Sequence, residues 1–102
     1  MLNSPWDLEL WNGTVAMAMA GPHQLWALDL EKGDVGVLAG SGAEGLADGP
    51  AHAAAMAQPS GLAVENGKLW VADSETSSLR YLDRSGRLTT AVGVGLFDFG
   101  HE

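Results

Sequence analysis

The residues best suited to bind a metal ion are concentrated in one short stretch, Asp73–Ser78, which reads Asp-Ser-Glu-Thr-Ser-Ser. Side-chain oxygens at this density are the ligands that Ca²⁺ takes, but the stretch lacks the glycine and the regular alternation of an EF-hand loop. The alternative is a tight turn whose Asp, Ser and Thr side chains form hydrogen bonds with the neighbouring backbone. We favour the turn and predict no metal ligand here.

Asp73 and Arg80 are a second candidate, because they carry opposite charges on either side of this turn. In one interpretation they form a polar binding site at the end of the fold where the turn lies. In the other they are a structural ion pair across a hairpin, and an exposed pair of that kind contributes only about 0–1 kcal/mol to stability. We favour the structural pair.

The remaining candidates for catalysis or cofactor binding have unfavourable spacing. His23, His52 and His101 are far apart in the sequence and show no pattern of metal ligands. The glycine-rich segment 40–45 lacks the Lys-Ser/Thr ending of a phosphate-binding loop and is not part of a strand–helix unit. We therefore predict no catalytic, cofactor-binding or metal-binding residues and a protein that is not an enzyme.

Composition narrows the class of protein and its partners. The 102 residues are 46% hydrophobic and 18% charged, which favours a folded domain over a disordered chain. A net charge of −8 repels phosphate, so we expect neither nucleic acid nor a membrane surface as partner. The sequence has no cysteine, and its first basic residue is Lys32, so a signal peptide is not expected and we predict a cytoplasmic location.

The elements that position these residues repeat along the chain. When Pro5 is placed over Pro59, an offset of 54 residues, polar turn residues fall on turn residues and apolar residues on apolar residues. After a one-residue gap the offset becomes 53, as in Gly40 over Gly93. Further identities include Leu8 over Leu62, Asn12-Gly13 over Asn66-Gly67, Ala18 over Ala72, Leu25 over Leu79, and Leu28-Asp29 over Leu82-Asp83.

Each copy has the pattern of four short strands. Asn12-Gly13 and Asn66-Gly67 are strong signals for two-residue hairpins, because a type I′ turn needs positive φ at both central positions. The middle strands, such as Leu69–Ala72, are apolar on both faces and must be covered on both sides. Four-stranded antiparallel meanders stacked face to face around an axis satisfy that need. The predicted fold is therefore all-β, with the blades of a β-propeller.

The organisation that follows has four parts. Residues 1–42 form blade 1, residues 43–56 a connector, residues 57–95 blade 2, and residues 96–102 a truncated inter-blade segment. Within the connector, Ala51–Met56 has strong helix propensity and follows Pro50, so we expect one or two helical turns there.

The second copy resembles the NHL repeat. The resemblance rests on Gln58–Val64, Gly67–Ser74, Leu79-Arg80 and Asp83, which follow the repeat's order of Pro-x-Gly, Val-Ala-Asp-Ser and apolar-Arg. The connector is also similar to the long inter-repeat segment of bacterial NHL proteins, including those fused to a thioredoxin-like domain. The first copy matches in pattern and departs from it at Asp7, Met19 and Trp26.

The resemblance implies a propeller of six blades, of which this chain supplies two. Two stacked blades leave two apolar faces in water, so we expect the chain to complete the ring by homo-oligomerising, as a trimer that acts as a scaffold or interaction module. The alternative is a metal-dependent hydrolase or lyase with its site at the ring axis, as in the peptide-amidating lyases of the NHL group. The residues that we expect at interfaces are Trp26, Trp70, Leu96, Phe97 and Phe99.

Overall fold

The first repeat is a four-stranded antiparallel meander. The structure is a computed structural model that describes residues 5–93. Neighbouring strands of this sheet are consecutive in sequence, and the turn at Asn12-Gly13 has φ values of 49° and 79°, as a type I′ hairpin requires. The strands are β1 (Pro5–Trp11), β2 (Thr14–Met19), β3 (Gln24–Asp29) and β4 (Val35–Ala39).

The second repeat forms the same meander with one strand added. Its first hairpin turns at Asn66-Gly67, again with positive φ at both residues. The strands are β5 (Gly49–Pro50), β6 (Pro59–Glu65), β7 (Lys68–Asp73), β8 (Ser78–Leu82) and β9 (Arg87–Val92). The two predicted meanders are thus confirmed, but the second sheet has five strands, in the order β5-β9-β8-β7-β6.

The connector is more extended than its helix propensity predicts. The Ala54 N–H donates to the Pro50 carbonyl at 2.9 Å, which makes a single turn, and no helix occurs within residues 5–93. The turn cannot continue, because the backbone of Ala55 is bonded in both directions to Ala47, on the other arm of the connector. Competition from these cross-chain hydrogen bonds overrides the local preference of the alanine-rich segment.

The two blades share one hydrophobic core. On the face of blade 1 that is turned toward blade 2, β2 carries the small side chains Ala16 and Ala18, which let β6 approach β1 and β2 closely. Blade 2 presents larger side chains in return, and the connector fills the outer part of the same core. The main contributors outside blade 1 are Ala51, Ala54, Met56, Leu62, Leu69, Val71, Leu82 and Leu88.

Trp26 and Trp70, the two tryptophans predicted at interfaces, lie on the faces of their sheets that point away from the shared core, because side chains alternate along a strand. Trp26 follows Leu25, which is in the core, and Trp70 lies between Leu69 and Val71, which are also in the core. Both indoles are half-buried. The two blades of one chain therefore enclose neither of them, and their predicted role at interfaces concerns contacts between chains.

Candidate functional site

The guanidinium of Arg80 holds the connector against blade 2. Its Nη1 donates to the Ala55 carbonyl at 2.6 Å, and its Nη2 donates to the Ala47 carbonyl and to Asp48 Oδ1, both at 2.9 Å. The Arg80 side chain is completely buried. Because its donors reach both arms of the connector, one residue of β8 fixes the position of a segment 25 to 33 residues away. We call Arg80, Asp48 and Asp73 the Arg80 clamp.

Asp73 is the second member of the clamp and binds mainly backbone. Its carboxylate accepts the N–H groups of Ala57 and Gln58 at 2.8 and 2.9 Å, while Arg80 Nη1 lies 3.8 Å away. The predicted pair is thus together, but both side chains are buried, so the modest contribution of an exposed pair does not apply. A buried pair of this kind costs about 3–5 kcal/mol when one partner is removed.

The oxygen-rich stretch after Asp73 has the geometry of the expected turn. The Thr76 N–H and hydroxyl face the carboxylate and carbonyl of Asp73 at 3.4 and 3.5 Å. The Thr76 and Ser78 hydroxyls are 2.6 Å apart, and both residues are buried. These oxygens are engaged with each other and with backbone rather than converging on an open position.

Asp48 extends the clamp to the last strand of blade 2. Its carboxylate accepts the N–H and the hydroxyl of Thr90 at 2.8 and 2.7 Å, in addition to Arg80. Burial raises the pKa of Asp48, but the hydrogen bonds from Thr90 and the Arg80 charge outweigh it, so this pKa lies below its ordinary value. The one buried donor of the clamp without an acceptor in the described part of the chain is Arg80 Nε.

The histidines are placed separately. His23 Nδ1 is 2.5 Å from the Ala57 carbonyl and so ties the β2–β3 turn to the end of the connector. His52 lines a cleft of about 380 Å³ between the blades, together with residues that include Trp11 and Leu82. His101 lies outside the described residues. Within residues 5–93, no three His, Cys, Asp or Glu side chains are grouped to hold a metal ion, and no helix there is long and apolar enough to cross a membrane.

Asp7 joins the blades directly, a role that the sequence interpretation missed. Its Oδ2 accepts the Leu62 N–H at 2.8 Å, and its Oδ1 accepts the N–H of Leu8 at 2.9 Å. The only sequence signal for this bond is that Asp7 departs from the repeat, where its counterpart in blade 2 is Gly61.

The outer face of blade 1, which is turned away from blade 2, is apolar on all four strands. The register of β1 and β2 pairs Leu8 with Met17 and Leu10 with Val15 on this face. Leu8 and Leu10 are 54% and 63% exposed. From Asp7 onward, the strand registers place on this face the side chains of Leu8, Leu10, Val15, Met17, Trp26, Leu28, Val35 and Val37.

The outer face of blade 2 carries small side chains where the outer face of blade 1 carries large ones. On this face β6 and β7 carry the small residues Gly61, Ala63 and Ala72, and the large side chain that projects from them is Trp70. The ring centre of Trp70 is 5.0 Å from that of Tyr81. Lys68 Nζ lies 5.3 Å from the Tyr81 ring centre, in the range of a cation–π contact. The strand registers place on this face the side chains of Gly61, Ala63, Glu65, Lys68, Trp70, Ala72, Leu79, Tyr81, Thr89 and Val92.

The two outer faces are the counterparts of the two sides of the internal interface. With the repeat offset of 54, the outward Leu8, Val15 and Met17 of blade 1 correspond to Leu62, Leu69 and Val71, which are buried against blade 1. In the same way, outward Ala72 of blade 2 corresponds to Ala18, which is buried against blade 2. Within residues 5–93, one copy of this interface is therefore formed between the blades, and the counterparts of its two sides lie on the two outer faces.

Comparison with known proteins agrees with the fold. Residues 56–80 match the family described as NHL repeat. The chain is 41% identical over 88 residues to Protein SUPPRESSOR OF QUENCHING 1, chloroplastic, of Arabidopsis thaliana, covering 81% of this chain and 8% of that protein. It is 36% identical to NHL repeat-containing protein 2 of both Gallus gallus and Homo sapiens, covering 97% of this chain and 18% of each relative. The chain thus spans less than a fifth of the length of these relatives.

A solved structure extends the comparison to the fold. An auxiliary nutrient binding protein from Bacteroides ovatus superposes with a TM-score of 0.67, covering 78% of this chain and 24% of that chain. At 21% identity this similarity concerns the fold alone. Together with the paired meanders and the matched repeat, these findings identify the chain as an NHL-repeat protein built from two β-propeller blades.

Proposed function

We propose that this chain is a non-enzymatic β-propeller interaction module whose partner is a second copy of itself, with three two-blade chains closing a six-bladed ring. The observation that carries the proposal is the correspondence between the outer faces and the internal interface. Because the repeat counterparts of these outer faces already pack against each other within the chain, the outer faces are suited to the same packing between chains.

Shape and polarity support a head-to-tail contact. The exposed leucines of blade 1, Leu8 and Leu10, project from the sheet, whereas Gly61, Ala63 and Ala72 of blade 2 leave room beside the strands. Each leucine that becomes fully buried contributes about 1.5–3 kcal/mol. Such a contact is heterologous, and a heterologous contact leaves no face unpaired only when it closes a ring. Three chains give the six blades implied by the NHL resemblance.

The non-enzymatic part of the proposal rests on how the charged side chains are used. Arg80 and Asp73, the most deeply buried charges, bind backbone groups of the connector and of residues 57 and 58. Asp7 is likewise committed to backbone N–H groups. These residues position the blades instead of facing an open cavity.

Solution mass tests the proposal. Light scattering at micromolar concentration should give about three times the chain mass of 10.6 kDa. Leu10→Asp should shift the protein to the monomer, because it places a charge at the predicted contact. Leu30→Asp is the matched control, since Leu30 is 58% exposed but lies in the turn after β3. A monomeric wild type, or equal effects of the two substitutions, would contradict the proposal.

A further inference from the structure

Blade 1 carries a different binding position where blade 2 has the Arg80 clamp. The counterparts of Asp73 and Arg80 are Met19 and Trp26, so a buried ion pair is replaced by a thioether and an indole. The indole Nε1–H already donates to Gln24 Oε1 at 2.9 Å. A segment that contacts Trp26 therefore meets the apolar surface of the ring, since the N–H of the indole already has its acceptor in Gln24.

The backbone leaves both blades in a similar manner. Gly40 and Gly93 occupy the same repeat position after β4 and β9, and both have positive φ, at 102° and 153°. Each lies so close to the start of the third strand of its blade that a Cβ would meet it: Gln24 Cα at 3.0 Å in one case and Ser78 Cα at 2.9 Å in the other. After Gly40 the connector crosses to blade 2, where Arg80 binds its backbone carbonyls. Gly93 is thus the exit position of blade 2 that corresponds to Gly40 of blade 1.

The sequence after Gly93 has changed in step with Trp26. In the connector, Asp48 supplies the carboxylate that Arg80 binds, and its counterpart at offset 53 is His101. The positions of Ala43, Glu44 and Leu46 are taken by Leu96, Phe97 and Phe99. The charge pair of Arg80 and Asp48 is thus replaced at the corresponding positions by Trp26 and His101, and Phe97 stands where the connector has Glu44. The segment keeps its acidic residues at other positions, as Asp98 and Glu102. Residues 94–102 lie outside the described part of the chain, so this step rests on their sequence.

We infer that Trp26 and the neighbouring Val37 of one chain form an apolar docking site for Leu96–Phe99 of another copy. The inference rests on the proposed function, since it specifies how neighbouring chains are joined. Within the chain the joint is a charged clamp on the connector, and between chains it is an apolar contact. This difference makes the joint between chains chemically distinct from the internal one, although the blades are repeats of each other.

Cross-linking tests the inference directly, because the sequence contains no cysteine. Phe97→Cys in one chain and Val37→Cys in another, mixed and mildly oxidised, should give a disulfide-linked pair of chains. Val37 is suited because it lies opposite Trp26 in the β3–β4 register. Phe97→Cys mixed with Leu30→Cys is the control and should not cross-link. The absence of a mixed disulfide between the Phe97→Cys and Val37→Cys chains would overturn the inference.

Affinity gives a second readout that separates the two proposals. Deletion of residues 96–102 should raise the dissociation constant of the assembly about tenfold or more, because three large apolar side chains lose their contact. Trp26→Arg should weaken assembly to a similar extent, and adding His101→Asp should restore part of it by recreating the pair that Arg80 forms with Asp48. If the full chain assembles and the truncated chain assembles equally well, the docking site is wrong while the ring stands. If the full chain is monomeric, the proposed function itself is wrong.

Discussion

The Asp7 carboxylate accepts the backbone N–H of Leu62 at 2.8 Å, and this hydrogen bond joins strands from the two blades that are 55 residues apart in sequence. It lies where β1 and β6 come together, so it fixes one inner strand relative to the other. The matching position of blade 2 is Gly61, which has no side chain to repeat the bond.

Replacement of Asp7 should therefore loosen the two blades from each other. Asp7→Ala leaves the Leu62 N–H without its acceptor and should lower the free energy of unfolding by about 1–3 kcal/mol. Asp7→Asn keeps an acceptor oxygen and should cost less. Asp34→Ala, at an exposed carboxylate in the β3–β4 turn, should change stability by less than about 0.5 kcal/mol. Urea unfolding measures all three, and an Asp7→Ala variant as stable as the wild type would refute the assigned role.

Lysine should not replace Arg80 without a loss of stability, although it carries the same charge. A lysine ammonium lacks the planar fork that reaches Ala47, Ala55 and Asp48 together, so Arg80→Lys should destabilise the chain by about 1–3 kcal/mol. It should also make the connector sensitive to limited proteolysis. Arg84→Lys, at an exposed position, is the control and should leave both properties unchanged. Equal protease resistance of the two variants would count against the clamp.

Much of the fold could be predicted from the sequence, because its signals are local. The hairpins at Asn12-Gly13 and Asn66-Gly67 follow from turn chemistry, and the strands follow from short apolar runs between turns. The fifth strand could not be predicted in this way. Gly49 and Pro50 have no strand pattern of their own, and they pair with β9 only because the connector is held beside it.

The candidate site was harder to predict than the fold. Arg80 and Asp73 could be paired because they flank one turn, but their main partners are backbone groups of the connector, which have no sequence signature. Helix propensity at Ala51–Met56 was misleading for the same reason, since tertiary hydrogen bonds use that backbone. The three departures of the first repeat, Asp7, Met19 and Trp26, were the informative signal: one lies at the internal joint, and the other two take the place of the clamp.

The clamp should make stability depend on pH through Asp48. Its pKa is lower in the folded chain than the value of about 3.9 expected when unfolded. Its stabilising contribution is therefore present in full above the unfolded pKa and is lost as the pH falls through the folded pKa. The stability difference between wild type and Asp48→Asn should be constant above about pH 5 and should shrink below about pH 4.

Thermal unfolding from pH 3 to 7 measures this difference. Asp83 is a second carboxyl with a lowered pKa, because the Ser85 hydroxyl and the Arg87 N–H donate to it. Its contribution is common to both proteins and cancels in the comparison. A difference that grew toward low pH would contradict the sign derived for Asp48.

Trp70 should matter more in the assembly than in the single chain. Its indole is half-buried against Tyr81 on the outer face of blade 2. If a neighbouring chain completes its burial, Trp70→Ala should destabilise the assembled protein by about 3–5 kcal/mol, with a smaller loss in the dilute chain. Denaturant unfolding at high and low protein concentration distinguishes the two. The same loss at both concentrations would show that no neighbour covers this residue.

The prediction that the protein holds no catalytic metal can also be measured. Elemental analysis of the purified protein should find no stoichiometric transition metal or calcium, and a chelator should leave its solution mass and melting temperature unchanged. One metal ion per chain or per ring, lost together with the assembly on chelation, would instead support the axial metal site of a hydrolase or lyase.

The attachment of the connector to β9 also determines the order in which the chain can fold. Asp48 binds Thr90, which is 42 residues later, and β5 pairs with Arg87 and Leu88. The hairpins of each meander need only neighbouring residues and can form within microseconds, whereas contacts at long sequence separation form more slowly. The connector therefore has no complete surface to bind until the last strand is in place. Docking of this segment is expected to be the final step of folding, and its release the first step of unfolding.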